Sequence, residues 1–176
     1  MPEGQIHPCA RCASMQRTCC QTAQILVTPG DIDRIARHTS RTDFWERSPV
    51  ADAAYLDQDD DPIWIRATVA PDGTRRVLKR SNQGCTFLGR AGCVLPTDVR
   101  PLVCRLYPFS YTERGIDGEL PDYCPTSVLA PPGSGLTMIT VLGMTRDEGD
   151  RWHAQLYAEL RADLEARQAP AGTGPR

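Results

Sequence analysis

The clearest hydrophobic pattern lies near the end of the chain, where every fourth residue from Trp152 to Leu164 is apolar. Side chains four residues apart lie on one face of a helix, so the pattern predicts an amphipathic helix of about six turns. Thr145 and Glu148 precede it at the spacing of a capping box, in which the two residues exchange side-chain to backbone hydrogen bonds. The helix is therefore expected to begin at this pair and to run to about Arg167.

Shorter helices are predicted earlier in the chain. The string Thr28-Pro29-Gly30-Asp31 combines an N-cap threonine, a proline at the first helical position and a capping-box acid. It predicts a helix that runs to about His38. A second short helix is predicted from Asp43 to Arg47, and a helical turn from Pro101 to Tyr107.

Alternating apolar and polar residues from Ile63 to Val69 have the period of a half-buried strand. The turn sequence Pro71-Asp72-Gly73-Thr74 follows, and Arg75 to Arg80 is expected to return as the second strand of a hairpin. Gln24 to Thr28 predicts a further brief extended stretch. Together these elements predict an irregular α+β fold, a small and mostly helical domain with one short β-hairpin.

Length and charge narrow the class of protein. The chain has 176 residues and a formal net charge of −2, so electrostatics gives no reason to expect a nucleic-acid partner. No apolar run approaches the roughly 18 residues that span a membrane, and the polar start of the chain lacks the features of an export signal. We expect a cytoplasmic protein without membrane contact, with one domain over residues 1–167 and a disordered tail over residues 168–176.

Eight cysteines carry the candidate chemistry, and they fall into two groups. The first group reads C-x2-C-x6-C-C, and the second has gaps of 7, 10 and 19 residues. In a reducing cytosol, clustered thiols are better explained by a metal or a cluster than by disulfides. The fold is therefore expected to be organised around a thiol site. The candidate metal ligands are Cys9, Cys12, Cys19, Cys20, Cys85, Cys93, Cys104 and Cys124.

Three kinds of thiol site stay open. A disulfide framework is chemically possible, but the expected compartment argues against it. Structural zinc usually takes its four ligands from two C-x2-C knuckles, and only Cys9 and Cys12 form one here. An iron–sulfur cluster tolerates irregular spacing, because its ligands surround a core several ångströms across. We favour an iron–sulfur cluster, in the [4Fe–4S] form, over zinc, and zinc over disulfides.

Local context separates some of the cysteines from the others. Cys19 and Cys20 are expected to point to opposite sides of an extended segment, so that only one of them binds a given ion. Cys104 is expected in the first turn of a helix, where the helix dipole favours a thiolate. Arg100 and Arg105 lie beside it and are candidates to offset the negative charge of several thiolates.

Other polar residues are weaker candidates. His7 lies two residues before Cys9 and is a possible substitute ligand, whereas His38 and His153 are expected on the surfaces of helices. The acids of residues 57–61 are expected to form an exposed loop rather than a calcium site, because the glycine and the distal glutamate of a calcium loop are missing.

A longer string of residues gives the chain a family resemblance. The string comprises Cys85-Thr86-Phe87-Leu88, Cys93, Arg100-Pro101-Leu102-Val103-Cys104-Arg105 and Pro108-Phe109, after Thr28, Asp31, Arg34 and Ile35. With the opening cysteines, it resembles the YkgJ-type cysteine-cluster proteins, which are zinc- or iron-chelating domains with a CxxCxxCC signature. The resemblance covers the chain from Cys9 to about Cys124. In one departure, six residues separate Cys12 from Cys19, where the family signature has two.

The resemblance implies that the cysteines bind a metal or an iron–sulfur cluster. Some relatives with this signature are flagellin lysine N-methylases, but nothing in this chain resembles an added methyl-donor domain, so such an activity is a distant alternative. Two function classes follow. One is a redox or enzyme-like module with an iron–sulfur cluster and a protein partner docked on the final helix. The other is a binding protein in which zinc or iron is structural or is delivered elsewhere.

Overall fold

A computed structural model describes residues 19–56, 60–82, 84–90, 92–119, 129–130 and 133–169. Within these ranges the chain forms six α-helices and four two-stranded antiparallel sheets, so the predicted irregular α+β class is confirmed. The helices are α1 (Cys19–Thr22), α2 (Pro29–Thr39), α3 (Pro62–Thr68), α4 (Leu102–Leu106), α5 (Met138–Val141) and α6 (Arg146–Gln168). The strands are β1 (Trp45–Pro49), β2 (Thr74–Leu78), β3 (Arg80–Ser81), β4 (Gly84–Cys85), β5 (Leu88–Gly89), β6 (Gly92–Cys93), β7 (Phe109–Thr112) and β8 (Gly115–Glu119). A 3₁₀ turn covers Ala53–Leu56.

Both predicted capping boxes are present, and they set where α2 and α6 begin. The Thr28 hydroxyl accepts a hydrogen bond from the Asp31 amide at 3.0 Å, and the Asp31 carboxylate accepts one from the Thr28 amide at 3.0 Å. Thr145 and Glu148 form the same reciprocal pair. Helix α6 then extends over 23 residues, which confirms the predicted six turns.

The predicted strand over residues 63–69 is wrong, because this segment is helix α3. Asp61 is its N-cap, and the Asp61 carboxylate accepts a hydrogen bond from the Trp64 amide at 3.1 Å. The buried residues Trp64, Ala67 and Thr68 follow the spacing of a helix face. A local cap and a helical buried face therefore outweigh the two-residue alternation of the sequence.

The predicted helix over residues 43–47 is also wrong, because strand β1 begins at Trp45. Strand β1 pairs antiparallel with β2, with Trp45 opposite Leu78 and Pro49 opposite Thr74. The strand expected after the turn is thus present as β2, but its partner comes from earlier in the chain. The predicted extended stretch also joins β2, through a bridge between Leu26 and Val77.

The larger of two main apolar cores, the first core, packs α6 against the middle of the chain. Leu156 and Leu160 of α6 are buried there with Trp64 of α3 and with Leu102 and Leu106 of α4. The predicted apolar stripe of α6 therefore forms this core. Helix α4 contributes to both main cores, because Leu102 and Leu106 lie in the first core, and Val103 and Cys104 pack against the second. Packing of α6 against α4 therefore supports the helix that carries Cys104.

None of the helices in the described ranges is long and apolar enough to cross a membrane. Of the predicted tail, only Gln168 and Ala169 lie within the described residues, and α6 ends at Gln168. The predicted domain limits therefore stay predictions.

Candidate metal centre

Four of the five described cysteines share one apolar core. Cys85 is buried in this second core, and Cys20, Cys93 and Cys104 pack against it. These four residues are here called the thiol cluster: Cys20 lies in α1, Cys85 in β4, Cys93 in β6 and Cys104 in α4. The two cysteine groups of the sequence therefore meet in space. Cys9, Cys12 and Cys124 lie outside the described residues, as does His7.

A glycine allows α1 to approach β4 closely. Gly84 has a φ of +116°, and a Cβ atom at this position would lie 2.6 Å from the carbonyl oxygen of Cys20. Any larger residue would collide with this backbone oxygen and would also be strained. Arg80, on the neighbouring strand β3, donates hydrogen bonds to the carbonyl oxygens of Gln21 and Ala23 at the end of α1. Gly84 and Arg80 together hold Cys20 beside Cys85.

The two short hairpins present their cysteines in the same local way. Cys85 and Cys93 each follow a glycine with a positive φ, +116° and +94° respectively. The Phe87 amide donates a hydrogen bond to the Cys85 sulfur at 3.4 Å, and a backbone hydrogen bond from Leu95 acts on Cys93. Sequence reasoning missed this repeated device, although Gly-Cys occurs at both positions in the sequence. Amides directed at a sulfur atom favour its thiolate form.

Burial nevertheless dominates the ionisation of these thiols. Burial raises the pKa of Cys85 to about 12, and it also raises the pKa of Cys93. Burial raises the pKa of Cys104 well above its ordinary value, and the neighbouring Cys20, Cys85 and Cys93 raise it further. The expected position of Cys104 in the first turn of a helix is confirmed. Burial nevertheless outweighs any stabilisation of its thiolate by the dipole of this five-residue helix. A bound cation would reverse this balance, because it stabilises the thiolates directly.

The two predicted arginines order the loop between Cys93 and Cys104. The Arg100 side chain donates to the Leu95 carbonyl at 2.9 Å, and the Arg105 side chain donates to the Arg100 carbonyl at 2.8 Å. Against the larger effect of burial, Arg100 also lowers the pKa of Cys93. Arg100 is thus a cation next to the thiol cluster, whereas Arg105 has a structural role.

Asp31 fastens α4 to its neighbours. It is fully buried, and its carboxylate accepts hydrogen bonds from the Leu102 amide at 3.0 Å and from the Thr28 amide. Arg34 forms ion pairs with Asp31 at 2.6 Å and with Glu159 of α6 at 2.5 Å. The motif at residues 28–35 therefore ties α2, α4 and α6 together, and α4 carries Cys104.

The adjacent cysteines lie in helix α1 and not in the extended segment that was predicted. Cys20 packs against the second core, whereas Cys19 lines a cavity that also reaches Cys104. Successive residues of a helix point about 100° apart, so the two side chains still face different surroundings. The fold is therefore compatible with the expectation that only one of Cys19 and Cys20 binds a given ion. The reason is the turn of a helix and not the alternation of an extended segment.

Within the described ranges, neither His38 nor His153 belongs to a group of three side chains that could hold a metal ion. His38 is exposed, as predicted. His153 is partly buried, contrary to the prediction, because its Nε2 lies 2.7 Å from the Thr112 carbonyl oxygen and its ring packs 4.7 Å from the Tyr157 ring.

The acidic run also differs from the exposed loop that was predicted. Asp60 is exposed, but Asp61 is buried as the N-cap of α3 and accepts a hydrogen bond from the Tyr157 hydroxyl. Residues 57–59 lie outside the described part of the chain. Asp61 therefore has a structural role as a helix cap, and its presence in the acidic run does not require a bound cation.

The described thiols suit a soft metal centre, but they do not form a finished coordination sphere. Within the described ranges, no three His, Cys, Asp or Glu side chains are close enough to hold one metal ion as they stand. The five described cysteines form no disulfide with one another. Thiol donors suit zinc, iron or iron–sulfur clusters, whereas magnesium and calcium prefer oxygen ligands. The donor set therefore fits the groups that the sequence predicts.

Replacing Gly84 with alanine is expected to separate α1 from β4. The positive φ and the collision with the Cys20 carbonyl should together lower the free energy of unfolding by about 2–5 kcal/mol. Chemical denaturation measures this loss. Gly73→Ala is the matched control, since Gly73 has a φ of +78° but no atom within 4 Å of an added Cβ. It should cost only about 1–2 kcal/mol. Equal losses in both variants would refute a special role for the close approach at Gly84.

Comparison with protein families gives a match, which covers the part of the chain that contains the cysteines. The family model CxxCxxCC, described as "Putative zinc- or iron-chelating domain", matches residues 8–125. All eight candidate cysteines lie within this span. No curated protein and no solved structure matches the chain.

Proposed function

Because the chain belongs to the CxxCxxCC family, whose model matches more than half of it, we propose that its cysteines hold an iron–sulfur cluster. The family description supports chelation of zinc or iron by this chain. The cluster, its ligands and a redox role in the cytoplasm are the further steps of the proposal.

The thiol cluster is the observation that carries this proposal. Cys20, Cys85, Cys93 and Cys104 come from four different elements, yet all four pack in one apolar core. Cubane iron–sulfur clusters take four cysteine ligands. We therefore assign these four residues as ligands of a [4Fe–4S] cluster. Cys9, Cys12 and Cys124 stay candidates from the sequence.

The arrangement of the described thiols favours a polynuclear centre over a single zinc ion. A zinc ion holds each thiolate at about 2.3 Å, which brings the sulfur atoms close together. In the described residues, no three candidate ligands are that close. The thiols are nevertheless near enough to influence each other, since three of them raise the pKa of Cys104 in addition to burial. A core several ångströms across can be reached by thiols that do not converge on one ion.

The surroundings of the thiol cluster suit a cluster that exchanges electrons. Buried side chains of the second core, among them Phe87 and Leu95, pack with these cysteines, of which Cys85 is buried and the other three are partly buried. Arg100 and the two hairpin amides place positive potential near them. When bound, an iron–sulfur cluster supplies one-electron chemistry, and its potential depends on charge, hydrogen bonds to sulfur and solvent exposure.

Metal and sulfide analysis of protein purified without oxygen tests the proposal. We expect a brown protein that contains iron and acid-labile sulfide in similar amounts and loses its visible colour on reduction. The colour reports a cluster, and the sulfide assay separates it from iron bound by thiolates alone.

Structural zinc is the alternative, favoured by the C-x2-C spacing of Cys9 and Cys12. A colourless protein with stoichiometric zinc and no sulfide would replace the iron–sulfur proposal with this one. Supply of both metals during expression keeps the comparison fair, because the site can then select between them.

A further inference from the structure

A cavity of about 380 Å³ adjoins the thiol cluster. Cys19 and Cys104 lie at its lining, and Trp64 and Tyr111 contribute aromatic surface to it. This volume falls in the range of small-molecule sites, and such sites combine apolar walls with a few directed polar groups. The lining also contains Arg75, whose guanidinium group can pair with an anion.

Arg75 is a buried cation with unused hydrogen-bonding capacity. The residue is only 1 % exposed, and its guanidinium group stacks over the Tyr55 ring at 4.4 Å. Its Nε donates to the Gln24 side chain at 2.8 Å. Its buried Nη2 has no hydrogen-bond partner among the described residues, and Arg75 forms no ion pair with a described carboxylate. A buried and unsatisfied charged donor is costly, so an anion in the cavity would relieve this cost.

The charges at the cavity restrict which anion can bind. Asp60 and Asp117 also line it, and both are exposed, so they lie towards solvent whereas Arg75 is buried. A doubly charged anion would be repelled by these two carboxylates. A carboxylate carries one charge, and its two oxygen atoms match the planar donors of a guanidinium group.

From these observations we propose that the cavity binds a small organic monocarboxylate with an aromatic or aliphatic body. Its carboxylate pairs with Arg75, and its body packs against Trp64 and Tyr111. This binding site is separate from the proposed ligands Cys20, Cys85 and Cys93, although Cys104 borders both. The proposal holds whether the thiols bind iron–sulfur or zinc.

Calorimetric titration of the purified protein, with its metal content measured in each sample, tests this proposal. We expect phenylacetate to bind, and its neutral amide, phenylacetamide, and the dianion phenyl phosphate not to bind. Arg75→Met should weaken phenylacetate binding about ten- to hundred-fold, since it removes a charged hydrogen-bonding partner. Arg47→Met is the matched control, because Arg47 is exposed on β1 and its loss changes the net charge equally. It should leave the affinity unchanged.

The result that overturns the proposal is equal affinity of the wild-type and Arg75→Met proteins, or no binding of phenylacetate, benzoate or hexanoate to the wild type. Circular dichroism shows whether Arg75→Met folds. If it does not fold, the double variant Asp60→Asn with Asp117→Asn decides: gain of phenyl phosphate binding supports the charge arrangement, and no gain refutes it. The metal content is measured in the same samples, so that a failure of carboxylate binding can be told apart from a failure of metal binding.

Discussion

Cys20→Ser is expected to lose the bound metal and to unfold far more easily than the wild type, whereas Cys19→Ser should change neither property. Cys20 packs with Cys85, Cys93 and Cys104 in the second core, whereas the neighbouring Cys19 lines the cavity. Metal binding is linked to folding, because the unfolded chain has no assembled site. Loss of one ligand should therefore lower the free energy of unfolding of the metal-loaded protein by roughly 3 kcal/mol or more.

This pair of variants is a sharp test because the two residues are adjacent and chemically identical. Metal per chain, acid-labile sulfide and the urea midpoint are measured for both proteins after purification without oxygen. Similar losses in both variants would show that Cys19 is also a ligand. Full metal content in Cys20→Ser would remove Cys20 from the ligand set and would break the link between the two cysteine groups.

The same variants separate metal loss from a packing defect. Without metal, Cys20→Ser should differ from the wild type by only about 1 kcal/mol, since serine is nearly isosteric with cysteine and Cys20 is only partly buried. A large difference between the two metal-free proteins would assign the effect of the substitution to packing.

Local interactions account for the parts of the fold that the sequence predicts well. The capping boxes at Thr28 and Thr145 form within four residues, and the apolar stripe of α6 is a property of one helix. Strand β1 was predicted as a helix because its extended form depends on β2, more than twenty residues away. Helix α3 shows the reverse case, since the cap by Asp61 was present in the sequence but the alternation of residues 63–69 was given more weight.

The candidate site was predictable in its chemistry but not in its geometry. The number and grouping of the cysteines predict a soft-metal site, and the family match supports that prediction. Which thiols meet depends on contacts between distant segments, such as the approach of Cys20 to Gly84. The buried Arg75 was not predicted either, because its neighbours Gln24 and Tyr55 come from separate parts of the chain. An arginine in a strand otherwise resembles any exposed basic residue in sequence.

Asp31→Ala is expected to lower the free energy of unfolding by about 3–5 kcal/mol, the second large effect in this protein. The substitution leaves the amides of Leu102 and Thr28 without their carboxylate acceptor. Among the described residues, Arg34 then keeps only Glu159 as an ion-pair partner. Urea denaturation measures the loss. Asp33→Ala is the matched control on the same helix, because Asp33 is exposed, and it should change stability by about 0.5 kcal/mol or less.

Asp31→Asn then distinguishes the hydrogen bonds of Asp31 from its size. The two carboxylate oxygens accept from different amides, that of Leu102 and that of Thr28, and an asparagine side chain has only one acceptor oxygen. Asparagine should therefore give an intermediate loss of stability. Because the Leu102 amide begins the helix that carries Cys104, both variants should also bind metal more weakly than the Asp33→Ala control. Wild-type stability in Asp31→Asn would show that double acceptance by the carboxylate does not hold α4 in place, and normal metal content in Asp31→Ala would show that the thiol cluster does not depend on this anchor.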